Sequence, residues 1–337
     1  MSSQIRSIQW RDDAIYVIDQ TLLPTAEITI EIKRVDQLIS AIQKLAVRGA
    51  PALGVAGAYG VVLALDEAAT AHWDSDRLSS EIDRLRDARP TAVNLAWGVN
   101  QVRPLISQGR EAVLNAAMNL AQADQLSNLA MGNIGADWLL HRIGYRPLNL
   151  LTHCNTGSLA TTGTGTALGV IKELAKRGKI KEVFADETRP LLQGSRLTAW
   201  ELSKAQIPYR IQPDGAAAMA ILSGKVDAAL IGADRIAKNG DSANKIGSLG
   251  VALACHIAKI PFLVVAPEST VDRSIADGSN IHIEIRADAE ITHIAGKQMA
   301  PEGAKTFNPA FDVTPARFIT AVITELRAYD IEAGESL

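Results

Sequence analysis

Apolar and polar positions change rhythm twice along this chain. Over the first 32 residues, short β-branched or aromatic runs alternate with turn residues: SIQW, then AIYVID, then AEITIEI. That spacing predicts a small antiparallel sheet. From Val35 to about His141 the apolar residues recur at helical spacing. They do so in VDQLISAIQKLA, in LSSEIDRLRDA and over the long stretch that begins REAVLNAAMNLAQ. Near Tyr145 the rhythm shifts again. Short apolar runs (LNLLTHC, IKEVFADE, IPYRIQ, VDAALIGAD, IPFLVVAPE) alternate with helical stretches such as TALGVIKELAKRG and AAAMAILSG. Buried strands alternating with helices predict an α/β chain with a C-terminal Rossmann-like, doubly wound parallel sheet. The expected organisation is an N-terminal domain over 1–144, a small sheet followed by helices, and a catalytic domain over 145–337. Ligands of such sheets sit beyond the carboxyl ends of the strands.

Composition narrows the class without naming a reaction. The chain has 337 residues, enough for two domains, with 47% hydrophobic, 21% charged and only 4% aromatic residues. The core must therefore be mostly aliphatic. A net charge of −3 gives no basic field for nucleic acid. Two cysteines argue against a disulfide scaffold and fit a reducing compartment. The start, MSSQIRSIQWRDD, has no apolar signal core. No apolar stretch reaches the roughly 20 residues of a membrane span without a charge, Pro or Gly cluster. A soluble cytoplasmic protein that binds neither nucleic acid nor membrane is the expectation.

Polar residues collect at the ends of the predicted strands. LNLLTHC ends in Cys154, followed by Asn155, Thr156 and Gly157; VFADE ends in Asp186 and Glu187, ahead of Gln193; ALIGAD ends in Asp234. Three such ends in one parallel sheet would face one crevice. Free cysteine usually serves as a small buried hydrophobe, but at a helix N-terminus its thiolate is favoured. Cys154 precedes a Gly/Thr-rich turn into a helix, whereas Cys255 sits inside the apolar run GVALACHIAKI and reads as core. His153 and His256 lack metal-ligand spacing. The glycines after Cys154 match neither nucleotide-binding pattern, so a single phosphate or a sugar hydroxyl suits that loop better. Asp234 is an N-cap, a partner for Arg235, or a general acid in a dry crevice. Lys245, in a turn-rich loop where Asn244 and Lys245 are expected to open a helix, is either a phosphate contact or a solvated charge. Arg48-Gly49-Ala50-Pro51 and Arg89-Pro90 each precede a helix, an arrangement suited to an anion but common in ordinary helix starts.

Taken in order, IDQTLLP, VRGAPALGVAGAYG, RPTAVNLAWGV, THCNTGSLATTGTGTALGVI, DETRPLLQGSRLTAWEL, IGADRIAKNGDSANKIGS and NPAFDVTPA resemble the methylthioribose-1-phosphate isomerase family. That family shares a superfamily with the regulatory subunits of translation initiation factor 2B and the ribose-1,5-bisphosphate isomerases. The resemblance covers nearly the whole chain. It implies a catalytic cysteine at Cys154 and an acid/base aspartate at Asp234. It implies substrate contacts at Arg48, Gly49, Ala50, Arg89, Gln193, Asn244 and Lys245. It also implies a homodimer without cofactor or metal, which turns 5-methylthioribose 1-phosphate into 5-methylthioribulose 1-phosphate in methionine salvage. The chain departs from many relatives at Thr164, where an aromatic is common, and at Gly247-Ser248-Leu249, where Gly-Thr-Tyr is common.

Those roles make chemical sense. Phosphate on the anomeric oxygen locks the sugar ring, so an acid must help the ring oxygen leave, and the hydrogen at C2 must then reach C1. Cys154 can shuttle it as a proton, or a dry pocket can favour hydride transfer with Cys154 in support. Two rivals stand beside this reading. A ribose 1,5-bisphosphate isomerase needs a second cation cluster where a methylthio group needs an apolar pocket, and IDQTLLP favours the latter. A non-catalytic regulatory relative needs neither the thiol nor the acid.

Overall fold

The structure, a computed structural model, describes residues 5–90 and 93–337. Met1–Gln4, at the polar start, and Thr91–Ala92, within RPTAVNLAWGV, lie outside the described residues. The chain divides into two compact units, residues 1–129 with 157–165, and residues 130–156 with 166–337.

In the first unit the expected antiparallel sheet is present: β1 (Ile8–Arg11), β2 (Ala14–Ile18) and β3 (Thr29–Ile32) pair in that order. Four helices follow, α1 (Val35–Gln43), α2 (Ala50–Ala71), α3 (Ser75–Arg86) and α4 (Val93–Val102), and then the long α5 (Arg110–Ile143). Ile15, Val17 and Ile32 from the sheet share a core with Leu38, Ile42, Val61, Leu85, Leu95 and Val99, as well as Val113 and Ala117 of α5. α2 is long and apolar enough by composition to cross a bilayer, but Pro51, its glycines and Asp66-Glu67 interrupt it, and 72% of its most apolar window is buried. Its apolar residues face the rest of the unit rather than lipid, which makes it a core helix.

The second unit carries the α/β layers. After α5 come β4 (Leu148–Thr152), α6 (Ala167–Lys176), β5 (Ile180–Asp186), α7 (Ala199–Lys204), β6 (Tyr209–Gln212), α8 (Ala217–Leu222) and β7 (Ala228–Ile231). Next are β8 (Arg235–Ala237), β9 (Ser242–Lys245), α9 (Ser248–Ala258), β10 (Phe262–Val265) and β11 (Val271–Asp272). The chain closes with α10 (Ala289–Thr292), β12 (His293–Ile294), β13 (Lys297–Gln298), β14 (Phe311–Thr314), β15 (Ala321–Ile323) and β16 (Ala328–Asp330). The main sheet runs β16-β15-β10-β7-β4-β5-β6 and is parallel except where β16 meets β15. Side chains alternate between two cores, as a strand buried on both faces requires. Leu150, Leu230 and Leu263 point to one, with Leu168, Ile171 and Leu174 of α6. Leu151, Ala229 and Val264 point to the other, with Ala220 of α8 and Val251 and Cys255 of α9.

Three expectations need correction. The boundary expected at 144/145 falls instead within α5, because Met131, Ala136, Leu139 and Leu140 belong to the core of the second unit. Residues 157–165 belong to the first unit: Asp124 accepts from the Thr162 N–H and hydroxyl at 2.7 and 2.6 Å, and Asn128 accepts from the Gly165 N–H at 2.7 Å. Asn244 and Lys245 do not open a helix. They end β9, in a small sheet ordered β11-β8-β9-β14, and α9 begins only at Ser248. Lys238-Asn239-Gly240-Asp241 is the turn of the β8–β9 hairpin, with the Ala237 N–H donating to the Asp241 carbonyl at 2.8 Å. Asn-Gly between two strands is a strong hairpin signal.

Candidate active site

Strand order defines a crevice within the second unit. From β4 the chain winds outward through β5 to β6, then returns to β7 on the other side of β4. The topological switch point of the sheet therefore lies between β4 and β7, where a crevice opens at the carboxyl ends. His153 and Cys154 follow β4 directly, and Asp234 follows β7 by three residues. The expected neighbours are thus on adjacent strands, with the end of β5 at Asp186 next in line.

Cys154 is 8% exposed and has a left-handed backbone, φ +64°. For a residue with a side chain that conformation costs about 1–3 kcal/mol and survives only where its surroundings impose it. The Cys154 N–H donates to Thr188 Oγ1 at 2.9 Å, and its carbonyl accepts from Thr198 Oγ1 at 2.6 Å. Asp234 is partly buried, and its N–H donates to the Ala243 carbonyl at 2.9 Å, which ties it to β9.

Gln193 is 6% exposed, and its Oε1 is buried without a hydrogen-bond partner among the described residues. Such groups in native proteins call for an explanation, and a ligand hydroxyl is one. It leads into a single π-turn, Gly194–Thr198, ahead of α7. Asn244 donates from Nδ2 to Ser248 Oγ at 2.8 Å. Lys245 donates to the Ala310 carbonyl at 2.8 Å, and its ammonium lies 4.5 Å from the centroid of the Phe311 ring.

The remaining expected residues belong to the first unit. Gly49 precedes α2 with φ +92°, and a Cβ there would lie 2.5 Å from Ala160 Cα, so only glycine fits against residues 157–165. Arg48 and Ala50 flank it, both partly buried, and Arg89 is partly buried between α3 and α4.

His153 has no metal-ligand spacing in the sequence and Asp186 is one of the polar strand ends; the structure buries the two as a pair. His153 Nδ1 lies 2.9 Å from Asp186 Oδ2, and Nε2 lies 2.8 Å from the Ile246 carbonyl oxygen. Both ring nitrogens face acceptors, which favours a proton on each. Burial pushes the His153 pKa down, but the hydrogen bond and charge of Asp186 outweigh it, and the net shift is upward. Burial likewise raises Asp186, against the opposing pull of His153. The ring packs under Gly247, where φ is +109° and a Cβ would lie 2.7 Å from His153 Cε1. Only side-chain proximity across three chain segments reveals this pair. Cys255, by contrast, is core as expected, its thiol pushed up to about 12 by burial and then by the charge of Asp186.

The pair has a pH consequence. An unfolded histidine loses its proton near pH ~6.5, whereas the folded pair retains one beyond that value. Its stabilisation is full below the unfolded value and is lost as pH rises through the raised folded one. Asp186 shifts in the same sense. The denaturant midpoint is expected to fall as pH rises above the unfolded histidine value of about 6.5 and through the raised folded one, and His153→Asn to flatten that slope. An equal slope in the variant would remove His153 as its source.

Residues 46–329 match the initiation factor 2 subunit family. A probable bifunctional methylthioribose-1-phosphate isomerase/methylthioribulose-1-phosphate dehydratase of Nocardia farcinica is 51% identical over 95% of this chain, which spans 58% of that relative's length. A methylthioribose-1-phosphate isomerase of Geobacter sp. strain M21 is 47% identical over 95% of this chain and 94% of its own. The crystal structure of 5-methylthioribose 1-phosphate isomerase from Pyrococcus horikoshii superposes with a TM-score of 0.87 at 36% identity, covering 98% of this chain and 93% of that one.

Proposed function

The chain belongs to the initiation factor 2 subunit family, and from that premise we propose that it is an aldose–ketose isomerase of methionine salvage. Its substrate is 5-methylthioribose 1-phosphate and its product 5-methylthioribulose 1-phosphate. The observation that carries the reading is the placement of Cys154 and Asp234 after the two strands that flank the switch point of the sheet.

The steps balance without a co-reactant. Asp234, protonated, gives its proton to the ring oxygen as the bond from C1 to that oxygen breaks. The Cys154 thiolate removes the proton from C2, leaving an enol between C1 and C2. The thiol then returns that proton to C1, while the C2 hydroxyl gives its own proton to Asp234 and becomes the carbonyl. Acid and thiolate are both restored, and the phosphate stays on the C1 oxygen throughout.

Substrate contacts are assigned to Arg48, Gly49, Ala50, Arg89, Gln193, Asn244 and Lys245. The guanidinium and ammonium groups suit a phosphate, and the unpartnered Oε1 of Gln193 suits a sugar hydroxyl. The protein is assigned to the cytoplasm as a homodimer, in keeping with its low cysteine content and the family resemblance. A paired substrate assay tests the reading. Purified protein is expected to convert 5-methylthioribose 1-phosphate to the ketose. Robust turnover of ribose 1,5-bisphosphate with none of the methylthio sugar would transfer the assignment to that substrate, and turnover of neither would favour a regulatory role.

A further inference from the structure

The strained backbone of Cys154 is held on both sides by threonine hydroxyls from one short segment. Thr188 Oγ1, which accepts the Cys154 N–H, itself donates to the Asp186 carbonyl at 3.1 Å. Its single proton is therefore committed, and a lone pair is turned toward Cys154. Thr198 Oγ1 donates to the Cys154 carbonyl and is approached by Asn155 Nδ2 at 3.3 Å. The same amide donates to Glu201 Oε1 at 2.9 Å, and Lys172 Nζ meets Glu201 Oε2 at 2.7 Å. Thr188, Thr198 and Glu201 are all at most 1% exposed.

We propose that Thr188 and Thr198 are positioning residues for the isomerisation, their two hydroxyls holding Cys154 at positive φ and so aiming its Cα–Cβ bond. Away from such anchors a cysteine favours negative φ. The change would swing the sulfur relative to the substrate carbons, and small misplacements of a reacting group are costly. The π-turn Gly194–Thr198 is part of the device: it ends at the hydroxyl that holds Cys154 and begins beside Gln193. π-turns inside helices occur mostly as single turns and often at functional sites. Valine matches threonine in shape but has no hydroxyl, so it removes the anchors with little change of packing.

This inference rests on the role assigned to Cys154, so its test has one reading that needs no turnover. Thr188→Val, Thr198→Val and Thr198→Ser are compared with the parent protein for kcat and KM. The rate at which a small methanethiosulfonate modifies Cys154 is followed by mass spectrometry, with Cys255 as internal reference. Each valine variant is expected to lose about 10- to 100-fold in kcat, with KM changed by less than about threefold. It should also shift the Cys154 modification rate by about fivefold or more while Cys255 is unchanged. Thr198→Ser should restore both readings. Parent-like kcat and modification rate in the valine variants would overturn the proposal, as would a serine variant as impaired as the valine one. If the parent protein turns over neither sugar, the modification rates alone decide, and the failure lies with the assigned reaction. If Thr198→Val does not fold, Thr188→Val supplies both readings.

Discussion

Cys154→Ser is expected to lower kcat for 5-methylthioribose 1-phosphate by about 10³-fold or more, with KM within about threefold. The substitution changes one atom. The hydrogen bonds to Thr188 and Thr198 use its main chain, so serine keeps those anchors. What it loses is the thiolate, the form of the side chain able to take a proton from carbon near neutral pH. A hydroxyl remains largely un-ionised there. The fold and the substrate contacts should persist while the transfer from C2 to C1 fails. Steady-state kinetics with the purified variant check this, and parent-like turnover would exclude proton transfer through Cys154. Product formed in heavy water adds a second measure. Exchange at the thiol would place solvent deuterium at C1, whereas direct hydride transfer leaves C1 free of it.

Asp234→Asn should fall nearly as far, by about 10²- to 10⁴-fold in kcat. Asparagine matches aspartate in size and keeps the backbone link to Ala243 on β9. Its amide cannot give a proton to the departing ring oxygen or accept one from the C2 hydroxyl. The two losses should combine non-additively, because proton removal from C2 requires a ring that has opened. The Cys154→Ser, Asp234→Asn double variant is therefore expected to be little slower than the worse single one. A fully multiplicative loss would mean that the two groups contribute independently to one rate-limiting transition state.

Much of the second unit was legible along the chain because its strands are buried on both faces and read as unbroken apolar runs. AALI and FLVV are examples, and LNLLT is broken only by Asn149 and closed by Thr152; each became a strand of the parallel sheet. The last two strands, Ala321–Ile323 and Ala328–Asp330, escaped notice because each has only three residues. β9 escaped for another reason. Ser-Ala-Asn-Lys carries little hydrophobic signal, and its pairing with Phe311–Thr314 lies more than 60 residues away. Cys154 and Asp234 could be placed at strand ends from local pattern, and strand order then made them neighbours. The anchors on Cys154 could not be found that way. Thr188 and Thr198 are ordinary loop and helix residues until the turn beyond β5 brings them back to β4. The His153–Asp186 pair was hidden for the same reason, since the ring is completed by Ile246, remote in sequence.

The allocation of residues 157–165 to the first unit bears on how this protein can be inherited and dissected. The chain passes from one unit to the other three times, at 129/130, 156/157 and 165/166. No single cut of the gene separates the halves. A fragment starting at residue 145 would lack Met131, Leu139 and Leu140 from its core and would carry a nine-residue loop whose ties to Asp124 and Asn128 were gone. Recombination within the chain is therefore constrained to exchange both halves together.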